Sequence, residues 1–202
     1  GGSILHMLRE MLGNEIFYKG VHAYMAKFGL STAETSDFRI ALEQASGLGL
    51  EWFFDQWCIR PGCPNISTKA TYDAATRMLK IKAEQTQKID ERTPAMRVST
   101  PICVRTASGE KTTAWEWRDR SAEIEIPLDG PPQWVAFDPR LAALKTLKMD
   151  WPMDWLRTQA KNGPTMASRR QAVEALRGDG SPDTIAVLQE IAMNELDRRK
   201  IR

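Results

Sequence analysis

Three signatures of familiar catalytic chemistry are missing from this chain of 202 residues. There is no H-E-x-x-H pair to hold zinc, no G-x-x-x-x-G-K-[S/T] loop to cradle phosphate and no G-x-S-x-G elbow for a serine nucleophile. Histidine is scarce: His6 and His22 are the whole supply. They fall on different predicted helices, and no carboxylates stand at matched spacing to complete a metal site, so both read as structural. Cysteine is scarce too. Cys58, Cys63 and Cys103 are too few for a disulfide framework or a zinc knuckle. Cys58 and Cys63 flank Arg60-Pro61-Gly62 and are placed to bridge in an oxidising compartment; buried free thiols are the favoured reading. No apolar run approaches the roughly 20 residues of a membrane span. The net charge of +2 leaves no electrostatic footprint for nucleic acid. The opening GGSILHML has no basic n-region of a signal peptide and no initiator Met, so a fragment or processed product is expected. No residue is nominated as catalytic, as a metal ligand or as cofactor-binding.

What is present is ordinary in amount and specific in arrangement. Apolar residues make up 42% and charged residues 27% of the chain, as in soluble globular proteins, and the length suits two domains or more. The organising stretch is Leu50–Pro64, LEWFFDQWCIRPGCP. Trp52, Phe53, Phe54 and Trp57 crowd six positions, with Phe53 and Trp57 on one helical face and Trp52 nearer the other side. Each buried ring is worth roughly 2–3 kcal/mol, so this short helix must be wedged between other elements. Pro61 disfavours helical geometry at Arg60, and Gly62 permits a sharp turn. Arg60 reads as an ion-pair or helix-end cation in preference to a ligand contact.

Before that stretch the period is helical. Residues 3–12 predict a buried helix opened by Ser3 and ended by Gly13 and Asn14. Residues 15–28 predict a second, with Phe17, Val21, Tyr24, Met25 and Phe28 on one side and Gly29 as its stop. Residues 37–46 predict a third, capped by Thr35 or Ser36, with Phe38, Ile40, Ala41, Leu42 and Ala45 inward. Glu10, Glu15, Asp37, Glu43, Glu51 and Asp55 read as the solvated faces of these helices. From Ile66 the period becomes two. Strands are expected over 66–72, 78–83, 96–106 (one bent strand or a pair), 112–117, 122–127 and 133–137, and Pro101 argues for an edge or a bulge. After Asp138 the period is helical again, over 154–161, 167–176 and 182–197. Ile185, Leu188, Ile191, Ala192 and Leu196 form the last inward stripe, and Asp197–Arg202 a solvated end. Paired short helices resemble a stacked HEAT or armadillo-type repeat. The expected fold class is α+β and multidomain: a helical unit over 1–64, a small antiparallel β-sandwich over 65–139, and the start of a helical repeat over 140–202.

The ordered motifs carry a resemblance. GGSILHMLR, then L-G-x-x-x-F-x-x-G-x-x-x-Y over Leu12–Tyr24, then F-F-x-Q-W…P-G-x-P over Phe53–Pro64, resemble the downstream part of the zinc aminopeptidases of the membrane alanyl aminopeptidase and leukotriene hydrolase type. The resemblance implies the helical end of a thermolysin-like catalytic domain, followed by a β-sandwich and helical repeats. It implies peptide substrates and zinc in a parent enzyme. The family's zinc ligands, general base, substrate-amine motif and transition-state tyrosine all precede the matching region, so none maps onto this chain and no zinc is expected in it. Two functional readings follow. The chain is the C-terminal portion of a zinc aminopeptidase, supporting an active site whose reacting groups lie elsewhere, or it is a stand-alone interaction module with the same architecture. The first predicts an inactive isolated chain with an exposed apolar face on residues 1–12, open to self-association.

Overall fold

In the computed structural model, which describes residues 1–91 and 93–200 (the side chains of 195–200 excepted), helix α1 spans Gly2–Leu12 and buries Met7, Leu8 and Leu12. Ser3, expected to cap it, lies inside its first turn, and no side chain caps the start. Gly13 ends α1 at φ 79°, donating its N–H to the Arg9 carbonyl, and the chain turns at once into α2, Asn14–Phe28. Asn14 therefore opens the second helix. Along α2, Phe17 is buried, whereas Met25, expected inward, is exposed. Helix α3 spans Thr35–Ser46 and is opened by a capping box of Glu34 and Asp37, one residue earlier than Thr35. The Glu34 N–H donates to Asp37 Oδ2 at 2.9 Å, satisfying a backbone donor that the helix start leaves free.

Helices α2 and α3 touch where α2 has no side chain. A Cβ at Gly20 would fall 2.7 Å from Leu42 Cδ2 and 3.2 Å from Leu42 Cα, and Leu42 is fully buried. Helix α4, Glu51–Phe54, continues into a wider π turn over Asp55–Ile59, closed by the Arg60 N–H on the Asp55 carbonyl at 2.9 Å. Arg60 is extended, as a residue before proline prefers, and Gly62 turns at φ 90°. Phe53, Phe54 and Trp57 are buried with Met7, Leu8, Leu12, Phe17, Leu42 and Leu50 in one cluster. Tyr24, Phe38, Phe54, Phe53 and Trp57 run through it as successive ring contacts 5.1–6.4 Å apart.

Seven strands among the described residues form two sheets. Strands β1 (Asn65–Asp73), β2 (Met78–Gln85), β5 (Ser121–Pro127) and β7 (Thr146–Asp150) are ordered β5-β2-β1-β7. Strands β3 (Val98–Thr106), β4 (Gly109–Trp117) and β6 (Trp134–Phe137) are ordered β4-β3-β6. All pairs are antiparallel except β1 with β7. Strand β7 lies in a stretch whose sequence reads as helical. Its five residues are too few for a period of two to stand out against the neighbouring helices. Pro101 sits in the central strand of its sheet, yet its surroundings are edge-like. Pairing of β3 with β6 begins at Ile102 opposite Phe137, so no strand needs the N–H that proline lacks.

Both sheets contribute to one core. Ile66, Leu79, Ile81 and Ile126 from the first meet Ile102, Val104, Trp115 and Phe137 from the second. Leu156 and Ala160 of α5 (Met153–Asn162) and Ala172 of α6 (Met166–Ala175) join the same cluster. The last helix, α7, spans Pro182–Lys200. Its expected inward stripe is partly open: Ile185 and Ala192 are exposed, while Thr184 is fully buried. Thr184 donates its hydroxyl to Asp179 Oδ2 at 2.6 Å, which anchors the helix start through a polar contact. The expectations for the side chains of Leu196 and Asp197–Arg202 lie outside the described residues. The architecture is α+β, with no described helix long and apolar enough to cross a membrane.

Candidate functional site

Two glutamines clamp consecutive backbone positions, and the first of them joins the helical unit to the two-sheet unit. Gln56, in the π turn, donates Nε2 to the Arg97 carbonyl at 2.9 Å and accepts the Arg97 N–H on Oε1 at 2.8 Å. Gln85, fully buried at the end of β2, treats Met96 the same way, at 2.7 and 2.9 Å. Around this seam the Arg97 guanidinium lies 4.0 Å from the Trp52 ring and donates from Nε and Nη2 to the two carboxylate oxygens of Glu116 at 2.9 and 3.0 Å. Arg60 pairs with Asp55 at 2.6 Å, the ion pair expected of it. Trp52, Gln56, Arg60, Arg97 and Arg118 line a groove of about 370 Å³ there.

The second seam joins α1 to the loop after β6. His6 donates Nε2–H to the Arg140 carbonyl at 2.7 Å, which leaves Nδ1 to accept from Arg9 Nη2 at 3.5 Å. Glu10 pairs with Arg140 at 2.7 Å. Beneath that loop Asp138 and Lys145 form an ion pair with side chains 0% and 3% exposed. Asp138 also accepts the N–H groups of Ala142 and Ala143, from a left-handed backbone at φ 50°. Burial pushes the Lys145 ammonium below the ordinary lysine value, and the adjacent Asp138 carboxylate pushes it back up. A cavity of about 950 Å³ opens beside this loop, between the start of α1, β7 and α6.

The singled-out residues do not converge. His6 is engaged on one seam, while His22 is exposed on α2. Cys58 is exposed, Cys63 half-buried and Cys103 buried, all three as free thiols; the expectation of buried thiols therefore fails for Cys58, which leaves the π turn toward solvent. Burial pushes the Cys103 thiol up against a hydrogen bond with Thr112. Of the carboxylates read as solvated, Glu15 and Glu51 are exposed, but Glu10, Asp37, Glu43 and Asp55 are engaged in ion pairs or caps. Among the described residues no group of three His, Cys, Asp or Glu is placed to hold a metal ion. Zinc does not fit these residues. Gln85, Asp138 and Lys145 were missed by the sequence reading. Gln56 carried a signal, since it is the Q of F-F-x-Q-W.

The motif positions thus have physical duties. Gly13 makes the α1–α2 corner, Phe17 fills the helical core, Gly20 admits Leu42, and Tyr24 meets Phe38 edge to face. Pro64 is buried and accepts the Thr146 N–H, setting β7 beside β1.

Comparison with known proteins agrees with that pattern. Residues 1–57 match the Peptidase family M1 domain. The chain is 38% identical over 73 residues to aminopeptidase N of Lactococcus lactis, covering 36% of this chain and 9% of that protein. It is 41% identical over 69 residues to glutamyl aminopeptidase of Sus scrofa, covering 34% and 7%. It is 33% identical over 95 residues to aminopeptidase N of Escherichia coli, covering 47% and 10%. The matches thus span a tenth or less of these relatives' own length. A crystal structure of Legionella pneumophila aminopeptidase A in complex with aspartic acid is similar in fold, with a TM-score of 0.74 at 17% identity, over 94% of this chain and 23% of that one. The helical front of this chain, with its corner glycines, aromatic core and clamping glutamine, is similar to the Peptidase family M1 domain.

Proposed function

We propose that this chain forms the rear support of a zinc-dependent aminopeptidase, an enzyme that removes N-terminal residues from peptides with the zinc-bound centre on other parts of the polypeptide. The observation that carries the reading is the M1 match over residues 1–57 on helices whose motif residues all serve packing, corners and clamps. In this reading residues 1–64 are the helical end of the catalytic domain, 65–139 a β-sandwich that braces it, and 140–202 the start of a helical repeat that first lends β7 to the sandwich. Catalysis by positioned groups loses heavily from small misplacements, so a rigid rear wall has a chemical purpose. The Gln56–Arg97 clamp and the packed aromatic helix supply that rigidity. Leu5 and Met11, exposed on α1, are then covered by the metal-bearing helices of the whole enzyme; in the isolated chain they form the face for self-association.

A chimera tests the proposal. Residues 1–57 replace the corresponding segment of the E. coli aminopeptidase N, and hydrolysis of an alanyl anilide is measured beside that of the isolated chain. The chimera is expected to hydrolyse the substrate and bind zinc, and the isolated chain to do neither. Turnover by the isolated chain, or a folded chimera with no turnover, overturns the reading.

A further inference from the structure

The cavity of about 950 Å³ runs along a sheet edge. Strand β7 is the last strand of its sheet and, among the described residues, pairs only with β1, Asn65 opposite Thr146 through Lys69 opposite Asp150. The Thr146 N–H goes to the Pro64 carbonyl. Backbone groups alternate sides along a strand, so Thr146, Lys148 and Asp150 turn theirs to β1, and Leu147 and Met149 turn theirs outward. Both residues line the cavity. Among the described residues no hydrogen-bond partner takes those outward groups. No proline or bulge blunts this edge; what guards it against strand addition is its short length and the charge of Lys148.

The walls state what the edge would receive. Across the cavity Gln171 of α6 holds Oε1 buried without a partner, an acceptor suited to an incoming N–H. Arg177 is paired with Glu174 and Lys145 with Asp138. Lys148 and Arg170 are exposed and make no ion pair among the described residues. The free charge at the rim is therefore positive. Leu141 and Leu144 stay 38% and 40% exposed beside it, offering apolar seats for alternate side chains. The volume is at the top of the range for small-molecule sites, which runs to about 1,000 Å³.

We infer that β7 is the docking edge for an extended acidic polypeptide segment, which adds as a strand along Leu147 and Met149 with its carboxylates toward Lys148 and Arg170. Main-chain hydrogen bonds supply affinity in this mode, and flanking side chains supply selectivity. The site is separate from the Gln56–Arg97 seam and borders the second seam through Gly2, Ser3 and His6 of α1; the strand edge and the rim charge carry it, not the peptidase reading.

The test uses the whole chain and a fluorescein-labelled decapeptide in which glutamate alternates with valine. Controls are the same peptide with lysine for glutamate and one N-methylated at every second amide. By fluorescence anisotropy the acidic peptide is expected to bind about tenfold tighter than the basic one, and the N-methylated peptide to lose binding. The exposed-site variant Lys148→Glu/Arg170→Glu reverses the charge preference while its circular dichroism is unchanged. Amide exchange at Leu147 and Met149 slows when the acidic peptide is added. Equal binding of acidic and basic peptides, full binding by the N-methylated peptide, or protection that maps elsewhere overturns the inference. Protection at Leu147 without peptide, together with a doubled sedimentation mass, overturns it in favour of a second copy on this edge.

Discussion

Gln56 and Arg97 exchange two hydrogen bonds, side-chain amide to main chain, at 2.9 and 2.8 Å. They lie 41 residues apart in sequence and belong to different units. Gln56 is nearly buried, at 9% exposure, so neither Arg97 backbone group has water as a ready substitute. Gln56→Ala is expected to cost about 2–4 kcal/mol, the sum of two net hydrogen bonds and the desolvated groups left behind. Gln56→Met keeps the volume and separates packing from polarity. Urea unfolding should show a similar loss for both variants. Recovery of wild-type stability by Met would mean that the hydrogen bonds contribute nothing.

This clamp marks the border of what the sequence discloses. Helices with a stripe, such as α1 with Met7, Leu8 and Leu12, are legible because period and burial coincide. Most of the strands between Asn65 and Phe137 are legible for the same reason at period two. The motif glycines are legible as positions, and the structure supplies their reasons: Gly13 for a positive φ and Gly20 for contact with Leu42. Strand β7 is hidden because it is short and pairs in parallel with a strand some 80 residues earlier, information no local window contains. The exposed Ile185 on α7 shows the converse, since a regular stripe does not say whether anything covers it. Asp138, Lys145 and Gln85 are hidden because polar residues at element ends look like solvent-facing residues until the tertiary fold buries them.

The Asp138–Lys145 pair follows from that burial. Lys145→Met removes the cation paired with a carboxylate that is fully buried, and breaking one half of a buried pair costs about 3–5 kcal/mol. The double variant Asp138→Asn/Lys145→Met removes both charges. Asn retains an acceptor for one of the two N–H groups, those of Ala142 and Ala143, that the two Asp138 oxygens now satisfy, and leaves the other without one. The double variant is therefore expected to be more stable than Lys145→Met alone, with a coupling of about 1–3 kcal/mol in a double-mutant cycle. Additive losses would show that the two charges do not act as a unit. The same variants report on the loop that walls the cavity, since Leu141 and Leu144 lie between the paired residues.

Glu43 gives the helical unit its acid limit. Its carboxylate accepts the Leu50 N–H at 2.7 Å and two contacts from Arg39 Nη1 at 3.0 and 2.8 Å. It thus ties the end of α3 to the start of α4 across Gly47–Gly49. The Leu50 N–H is the main reason its pKa is held below the ordinary carboxylate value, with Arg39 adding to it and partial burial opposing. A carboxyl group with a lowered folded pKa binds fewer protons folded than unfolded, so its contribution is complete above the unfolded value of about 4.3. That contribution is lost as the pH falls from there through the folded pKa. Glu43→Gln should cost about 1 kcal/mol at pH 7, the loss typical of a helix-end hydrogen bond. The difference from wild type should shrink steadily below about pH 4.3 and vanish once the wild-type carboxyl is protonated in both states. Urea unfolding of both proteins from neutral to acid pH measures it. A difference that stays constant across that range would mean that Glu43 acts through its shape and not through its charge.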